Sequence, residues 1–194
     1  MEIASKCGLN FEALKEALTF LERENIVKVD ENDVQFEKGA KVLASISALK
    51  LGSSMDEVSK VLSWKDFEEF ISTIIAYNGY EVHQNFRLKH PKIEIDVLAI
   101  RDGRGLAIDC KHWHRSIGLS SISKVAEAQT KRAERLMMSD EAKRFNLSHV
   151  IPVIVTLYSE QVFFVNKVPI VPIDKFSHFL NELDGILDMI LMVK

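Results

Sequence analysis

Two carboxylates and one amine in residues 93–113 have the functional groups that metal-assisted phosphodiester hydrolysis requires. Asp96 lies inside an otherwise apolar run, where a half-buried carboxylate is costly unless it is paired or holds a metal ion. Asp109 and Lys111 are two positions apart, so on a strand their side chains share one face, whereas Cys110 points to the other. The pattern indicates carboxylates that hold a cation beside an amine that contacts phosphate. The alternative is an ordinary solvated Asp109–Lys111 ion pair.

A β-hairpin is predicted to bring these residues together. The apolar runs 93–100 and 106–110 flank residues 101–105, whose two glycines can take the positive φ of a tight turn. An amphipathic helix is predicted over residues 64–77, and Glu68 lies at the margin of its apolar stripe. Glu68 can therefore lean toward the sheet, although a solvated glutamate at the helix edge is the alternative.

The Asp96 and Asp109-Cys110-Lys111 segments resemble the PD-(D/E)XK nuclease superfamily, in which an Asp on one strand precedes Asp or Glu, any residue and Lys on the next. Ile95 stands where the name-giving proline would be. The resemblance covers about residues 64–166. It implies an α/β fold of the restriction endonuclease-like type, with a mixed central β-sheet flanked by helices.

The resemblance also implies a ligand set and a reaction. The Phe67-Glu68 pair is similar to a pair in the first helix of Mrr-like and archaeal Holliday-junction resolvase-like members. By this resemblance the chain is a DNA endonuclease in which Lys111 is catalytic. The implied ligands of Mg²⁺ or Mn²⁺ are Asp96, Asp109, Glu68 and the carbonyl of Cys110.

A long helix predicted over residues 120–138 carries one polar residue on its apolar face, Gln129. RecB-like members of the superfamily place a glutamine near the catalytic lysine from this helix, but their tyrosine four residues later is Ala133 here. Gln129 is expected to be either an active-site accessory or a structural amide with satisfied hydrogen bonds.

The net charge of −3 means that any nucleic-acid contact must come from the distribution of charge. Basic side chains cluster around the hairpin and on the helix that follows it. The predicted nucleic-acid contacts are Arg101, Arg104, His112, Arg115, Lys124, Lys131, Arg132 and Arg135.

Composition predicts two units in 194 residues, a module of residues 1–62 and a nuclease domain of residues 63–194. The sequence has no apolar run of membrane-spanning length and no signal-peptide pattern. Two cysteines far apart are consistent with a reducing compartment, so a cytoplasmic location is expected. Strands are predicted at residues 150–158 and 162–165, a loop through Pro169 and Pro172, and a closing helix at 174–192.

The N-terminal module resembles a winged helix, with helices at residues 1–7, 11–24 and 38–51 and a two-stranded wing at 26–36. The helix that normally precedes the turn is absent before Met1, so the apolar side chains of the second helix are expected to stay partly uncovered. That exposure predicts a homodimer formed through this module. Acidic residues on the second helix predict that it stays off DNA.

Two other interpretations were open. Cys110, His112 and His114 alternate along the chain, which is compatible with three ligands of a zinc site. The second is a catalytically silent nuclease fold that binds DNA or assembles with a partner.

Overall fold

A computed structural model describes residues 2–30, 33–36, 39–54, 57–58, 60–90, 92–111, 118–157 and 163–194. The chain divides into two compact units, Met1–Leu62 and Ser63–Lys194. Within the described residues, no helix combines the length and the apolar character needed to cross a membrane.

The first unit has two antiparallel strands that follow two helices and precede a third. Asn10 begins the second helix by accepting a hydrogen bond from the Ala13 amide at 2.8 Å. That helix has no buried side chain, and its apolar residues Leu14, Leu18 and Leu21 are partly exposed. The winged-helix assignment of this unit stays a prediction. Its elements are α1 (Glu2–Cys7), α2 (Phe11–Arg23), β1 (Val27–Val29), β2 (Val34–Phe36) and α3 (Ala40–Lys50).

The second unit contains a mixed six-stranded sheet flanked by helices, as predicted. Its elements are α4 (Trp64–Tyr77), β3 (Glu81–Leu88), β4 (Ile93–Arg101), β5 (Arg104–Lys111), α5 (Leu119–Met137), α6 (Asp140–Arg144), β6 (His149–Thr156), β7 (Phe163–Val165), β8 (Val168–Pro172), α7 (Ile173–Glu182) and a 3-10 helix (Leu183–Met189). The strand order is β3-β4-β5-β6-β8-β7. β5, β6 and β8 run parallel, and the other neighbouring pairs are antiparallel.

The predicted hairpin is formed by β4 and β5. Arg101 pairs with Arg104, and the two residues between them, Asp102 and Gly103, have φ of 52° and 76°. Two consecutive positive φ angles are typical of the tight turns that match the twist of a hairpin. This turn sets the register of both strands and therefore the positions of Asp96 and Asp109.

Two helices hold the hairpin in place. Ser63 and Asp66 form a capping box that begins α4, which packs on β3 and β4 through the buried side chains of Phe67 and Ile71. α5 packs on β4, β5 and β6, and Ala133 and Leu136 lie in the core beneath it.

The C-terminal region differs from the sequence prediction. Residues 168–172, predicted as loop, form the buried strand β8. Both prolines are tolerated because Pro169 lies outside the pairing with β6, and Pro172 is the last residue of the strand and the N-cap of α7. The closing helix ends at Glu182 and continues as the 3-10 helix, which contains Gly185, a poor α-helix former.

Candidate active site

The open end of the hairpin brings two predicted carboxylates together. Val97 and Ile108 are the last paired residues at this end of the antiparallel ladder between β4 and β5. Their neighbours Asp96 and Asp109 therefore lie side by side just beyond the paired residues. The Cys110 amide donates to Asp96 Oδ2 at 2.8 Å, which anchors this carboxylate where the backbone pairing stops. Residues far apart in the sequence thus share one end of the sheet.

Asp109 is the most enclosed acid of the site, with 3% of its surface exposed. Its Oδ1 accepts a hydrogen bond from Arg132 Nη1 at 3.0 Å, and its Oδ2 lies 2.7 Å from Lys111 Nζ. The Lys111 ammonium is close to Oδ2 but not aligned with it, so this buried oxygen has an ion pair without a hydrogen bond. One carboxylate therefore balances two cationic side chains.

Gln129 is fully buried and has partners for both ends of its amide. Its Nε2 donates to the Ala107 carbonyl at 2.7 Å, and its Oε1 accepts from Arg132 Nη1 at 2.8 Å. The amide is satisfied, and it also touches the arginine that is bonded to Asp109. Gln129 is thus a structural amide with satisfied hydrogen bonds that also lies beside the site. Its role in catalysis stays a prediction.

Glu68 lies buried on α4, with 8% of its surface exposed, and its Oε1 accepts a hydrogen bond from the Trp64 indole. Sequence reasoning missed Trp64, although its spacing of four residues from Glu68 on a helix was a usable signal. The same indole ring lies 5.8 Å from Lys111 Nζ. Trp64 therefore contacts both the predicted accessory acid and the predicted catalytic lysine.

The acids of the site repel one another. Burial, followed by the charge of Asp109, raises the pKa of Asp96, while the Cys110 hydrogen bond opposes the rise. Burial, followed by the charges of Asp96 and Glu94, raises the pKa of Glu68 against the lowering effect of the Trp64 hydrogen bond. Burial and mutual repulsion thus disfavour the ionised forms of Asp96 and Glu68, and a bound cation would favour them.

Replacing Asp96 by Asn should stabilise the metal-free protein in a pH-dependent way. Because the folded-state pKa of Asp96 lies above its usual value of 3.8, the folded state binds this proton more tightly than the unfolded state. At pH values above its raised folded-state pKa, ionised Asp96 therefore lowers the stability of the protein. This cost disappears as the pH falls well below 3.8, where the side chain is protonated in both the folded and the unfolded state. We expect Asp96→Asn to raise Tm at neutral pH relative to wild type, because the substitution removes a buried charge that the folded state disfavours.

Thermal melts in EDTA at a series of pH values would measure this effect. Asp102→Asn is the matched control, because the Asp102 side chain is 93% exposed in the hairpin turn. The difference in Tm between Asp96→Asn and wild type should vanish toward low pH and grow as the pH rises. A difference that is independent of pH would contradict the electrostatic account of Asp96.

The donor set fits a hard divalent cation. Carboxylate oxygens are the ligands that Mg²⁺ and Mn²⁺ prefer, and Asp109 Oδ2 is a buried oxygen that lacks a hydrogen bond. Among the residues that the structure describes, no three His, Cys, Asp or Glu side chains are gathered as a preformed metal cluster. Instead, the side chains of Lys111 and Arg132 supply the positive charge around Asp109.

Not all predicted contacts lie at this end of the hairpin. Arg101 and Arg104 flank the turn at the opposite end; Arg101 donates to the Asn78 carbonyl at 3.0 Å, and Arg104 pairs with Asp184 at 2.6 Å. Lys124 and Lys131 are exposed on α5. His112, His114 and Arg115, for which the sequence predicts phosphate or metal contacts, lie outside the described residues. The Cys110 thiol is fully buried, and burial raises its pKa well above the usual value.

A basic groove lies beside the site. It has a volume of about 580 Å³ and is lined on one side by Arg132 and Arg135 of α5 and on the other by Arg87 and Lys92. Sequence reasoning missed Arg87 and Lys92, because only the packing of α5 near the β3–β4 connection brings them opposite the helix. Glu94 also lines the groove and pairs with Arg87 at 2.6 Å.

Residues 59–144 match the family model Mrr_cat, a restriction endonuclease. This segment, which contains Glu68, Asp96, Asp109, Lys111 and Gln129, is a restriction endonuclease-like domain of the PD-(D/E)XK type, and the resemblance seen in the sequence is confirmed. The match begins at residue 59, so it includes only the last four residues of the first unit. No curated protein sequence matches the chain.

Solved structures show more distant similarity. The protein of unknown function AF1548 is 22% identical with a TM-score of 0.35, and the match covers 46% of this chain and 44% of that one. The chain therefore spans less than half the length of that relative. The small subunit of the heterodimeric restriction endonuclease R.BspD6I is 18% identical with a TM-score of 0.41, and the match covers 68% of this chain and 75% of that subunit.

Proposed function

We propose that this protein is a metal-dependent DNA endonuclease that hydrolyses phosphodiester bonds at the open end of the hairpin. The observation that carries the proposal is the meeting of Asp96, Asp109 and Lys111 there, with Lys111 Nζ 2.7 Å from Asp109. The match of this segment to a restriction endonuclease family model supports it.

Each residue has a role in the proposal. Asp96, Asp109 and the Cys110 carbonyl would hold Mg²⁺ or Mn²⁺, and Glu68 would contribute directly or through water. The bound ion would supply an activated water and neutralise charge on the phosphate. Lys111 would orient the attacking water and stabilise the charge that develops on the phosphate oxygens.

A cleavage panel tests the proposal. Duplex, branched, flapped and methylated DNA, together with RNA, would be incubated with the protein and Mg²⁺ or Mn²⁺, with EDTA as the control. We expect at least one DNA substrate to be cut only when the divalent cation is present. Failure to cut any of them with either ion would reject the proposal.

One observation favours a second candidate, a silent nuclease fold that binds DNA or assembles with a partner. Both oxygens of Asp109 already face cationic side chains, Arg132 and Lys111. In a nuclease fold that no longer binds a metal ion, these two cationic side chains would neutralise Asp109 in place of the metal. Such a protein would bind DNA in the cleavage panel and leave it intact under every condition.

We further propose that the first unit forms a homodimer. Its apolar side chains Leu14, Leu18, Leu21, Ile46 and Leu49 are all partly exposed, which is the condition that predicts a partner. A two-fold contact would bury the same patch twice and pair two nuclease sites. Light scattering on the full chain should give twice the mass of one chain at micromolar concentration, and a monomer would contradict the proposal.

A further inference from the structure

Arg132 belongs to two sites at once. Its Nη1 donates both to Asp109 Oδ1 at 3.0 Å and to Gln129 Oε1 at 2.8 Å. The same residue lines the basic groove with Arg87, Lys92 and Arg135. Since 34% of its side-chain surface is exposed, the guanidinium is held inside the site but can be reached from the groove.

The acidic site cannot accept a divalent cation without weakening these contacts. A guanidinium and a metal ion on the same carboxylate would repel each other at close range, and the low-dielectric surroundings of the buried Asp109 make that repulsion strong. Arg132 therefore competes with the metal for Asp109. Gln129 adds to this competition, because its amide is fixed to the Ala107 carbonyl and holds Arg132 in the inward position.

The groove offers Arg132 another partner. A phosphodiester backbone presents oxygens that a guanidinium binds with paired, charge-assisted hydrogen bonds. The other three basic residues of the groove would attract such a backbone. Among the described residues, Arg87 pairs with Glu94, whereas Arg135 donates only to the Lys92 carbonyl at 3.4 Å. A backbone phosphate in the groove would therefore compete with Asp109 for Arg132.

We infer that Arg132 is a latch that closes the acidic site in the free protein and is released by a phosphodiester backbone in the groove. Divalent-cation binding and backbone binding then reinforce each other, because each removes an obstacle to the other. This inference rests on the proposed function, since it takes Asp109 as a metal ligand. It explains why the site is closed in the free chain without being silent.

Isothermal titration with Mn²⁺, with and without a short phosphorothioate DNA duplex that resists cleavage, tests the latch. In wild type the duplex should tighten Mn²⁺ binding by about tenfold, a usual size for coupled sites, and Mn²⁺ should tighten duplex binding by the same factor. Equal Mn²⁺ affinity with and without the duplex would overturn the inference without any variant.

Variants of Arg132, compared with a variant that removes the same charge elsewhere, distinguish the latch from a general effect of net charge on Mn²⁺ affinity. Arg132→Gln should bind Mn²⁺ about tenfold more tightly than wild type in the absence of duplex, and the duplex should then add little. Lys143→Gln removes the same charge from an exposed lysine on α6 that does not line the groove, and it should leave the Mn²⁺ affinity of the free protein near that of wild type. Arg132→Lys keeps the charge on a shorter side chain whose compact ammonium does not reproduce the position of Nη1, so its affinity should be intermediate.

The outcomes distinguish the latch from the nuclease proposal. If Arg132→Gln binds Mn²⁺ no better than Lys143→Gln while the wild type cuts DNA, the latch is rejected and the function stands. If neither wild type with duplex nor Arg132→Gln binds Mn²⁺, Asp109 is not a metal ligand and both proposals fail.

Discussion

Lys111→Ala should reduce the rate of DNA cleavage by about 10²–10³-fold, the usual cost of removing one preorganised group that stabilises transition-state charge. The Lys111 side chain is 23% exposed, and Asp109 keeps its hydrogen bond to Arg132 without it. The variant should therefore fold, and only the rate of DNA cleavage should fall. Single-turnover cleavage at saturating protein would measure the loss.

Two further variants make the Lys111 experiment specific. Lys143→Ala removes a lysine that is 83% exposed and pairs with Asp140 on α6, and it should cleave as fast as wild type. Lys111→Arg keeps the charge but replaces a compact ammonium by a planar guanidinium, so it should not restore the rate. If Lys111→Ala cuts DNA as fast as the Lys143→Ala control, Lys111 has no part in the reaction.

The groove should account for most of the salt-sensitive affinity for DNA. Replacing Arg87, Lys92 and Arg135 by Ala removes three of its cationic side chains without touching Asp109. Each lost phosphate contact should lower the slope of log K against log salt by about 0.9 on duplex DNA. A combined loss of about three contacts should weaken binding by at least about tenfold near physiological salt.

Fluorescence anisotropy over a range of salt concentrations would measure this effect. The matched control replaces Lys143, Arg144 and Lys167, which are exposed in the same unit and do not line the groove. That control removes the same net charge, so it separates local contacts from the general field of the protein. An equal fall in the salt slope for both triple variants would place the DNA path elsewhere.

The hairpin and its acids could be predicted from the sequence because they depend on local rules. The glycines of residues 101–105 specify the turn, and side-chain alternation puts Asp109 and Lys111 on one face. The 3.6-residue period of α5 likewise placed Gln129 on its buried side, where the structure has it.

The partners of these residues depend on packing between elements and were not predictable in the same way. Arg132 is predicted from the sequence to contact nucleic acid, and in the structure it is hydrogen-bonded to Asp109 because α5 packs across β5. Strand β8 was missed because its prolines indicated a loop, and only its pairing with β6 and β7 shows where prolines are tolerated.

We propose above that Asp96 and Asp109 bind one divalent cation at the open end of the hairpin. Titration of Mn²⁺ into wild type, Asp96→Asn and Asp109→Asn, each in the presence of the phosphorothioate duplex, tests it most directly. Wild type should bind one Mn²⁺ per chain, and both variants should lose that binding while remaining folded and bound to the duplex. Wild-type Mn²⁺ affinity in either variant would contradict the account.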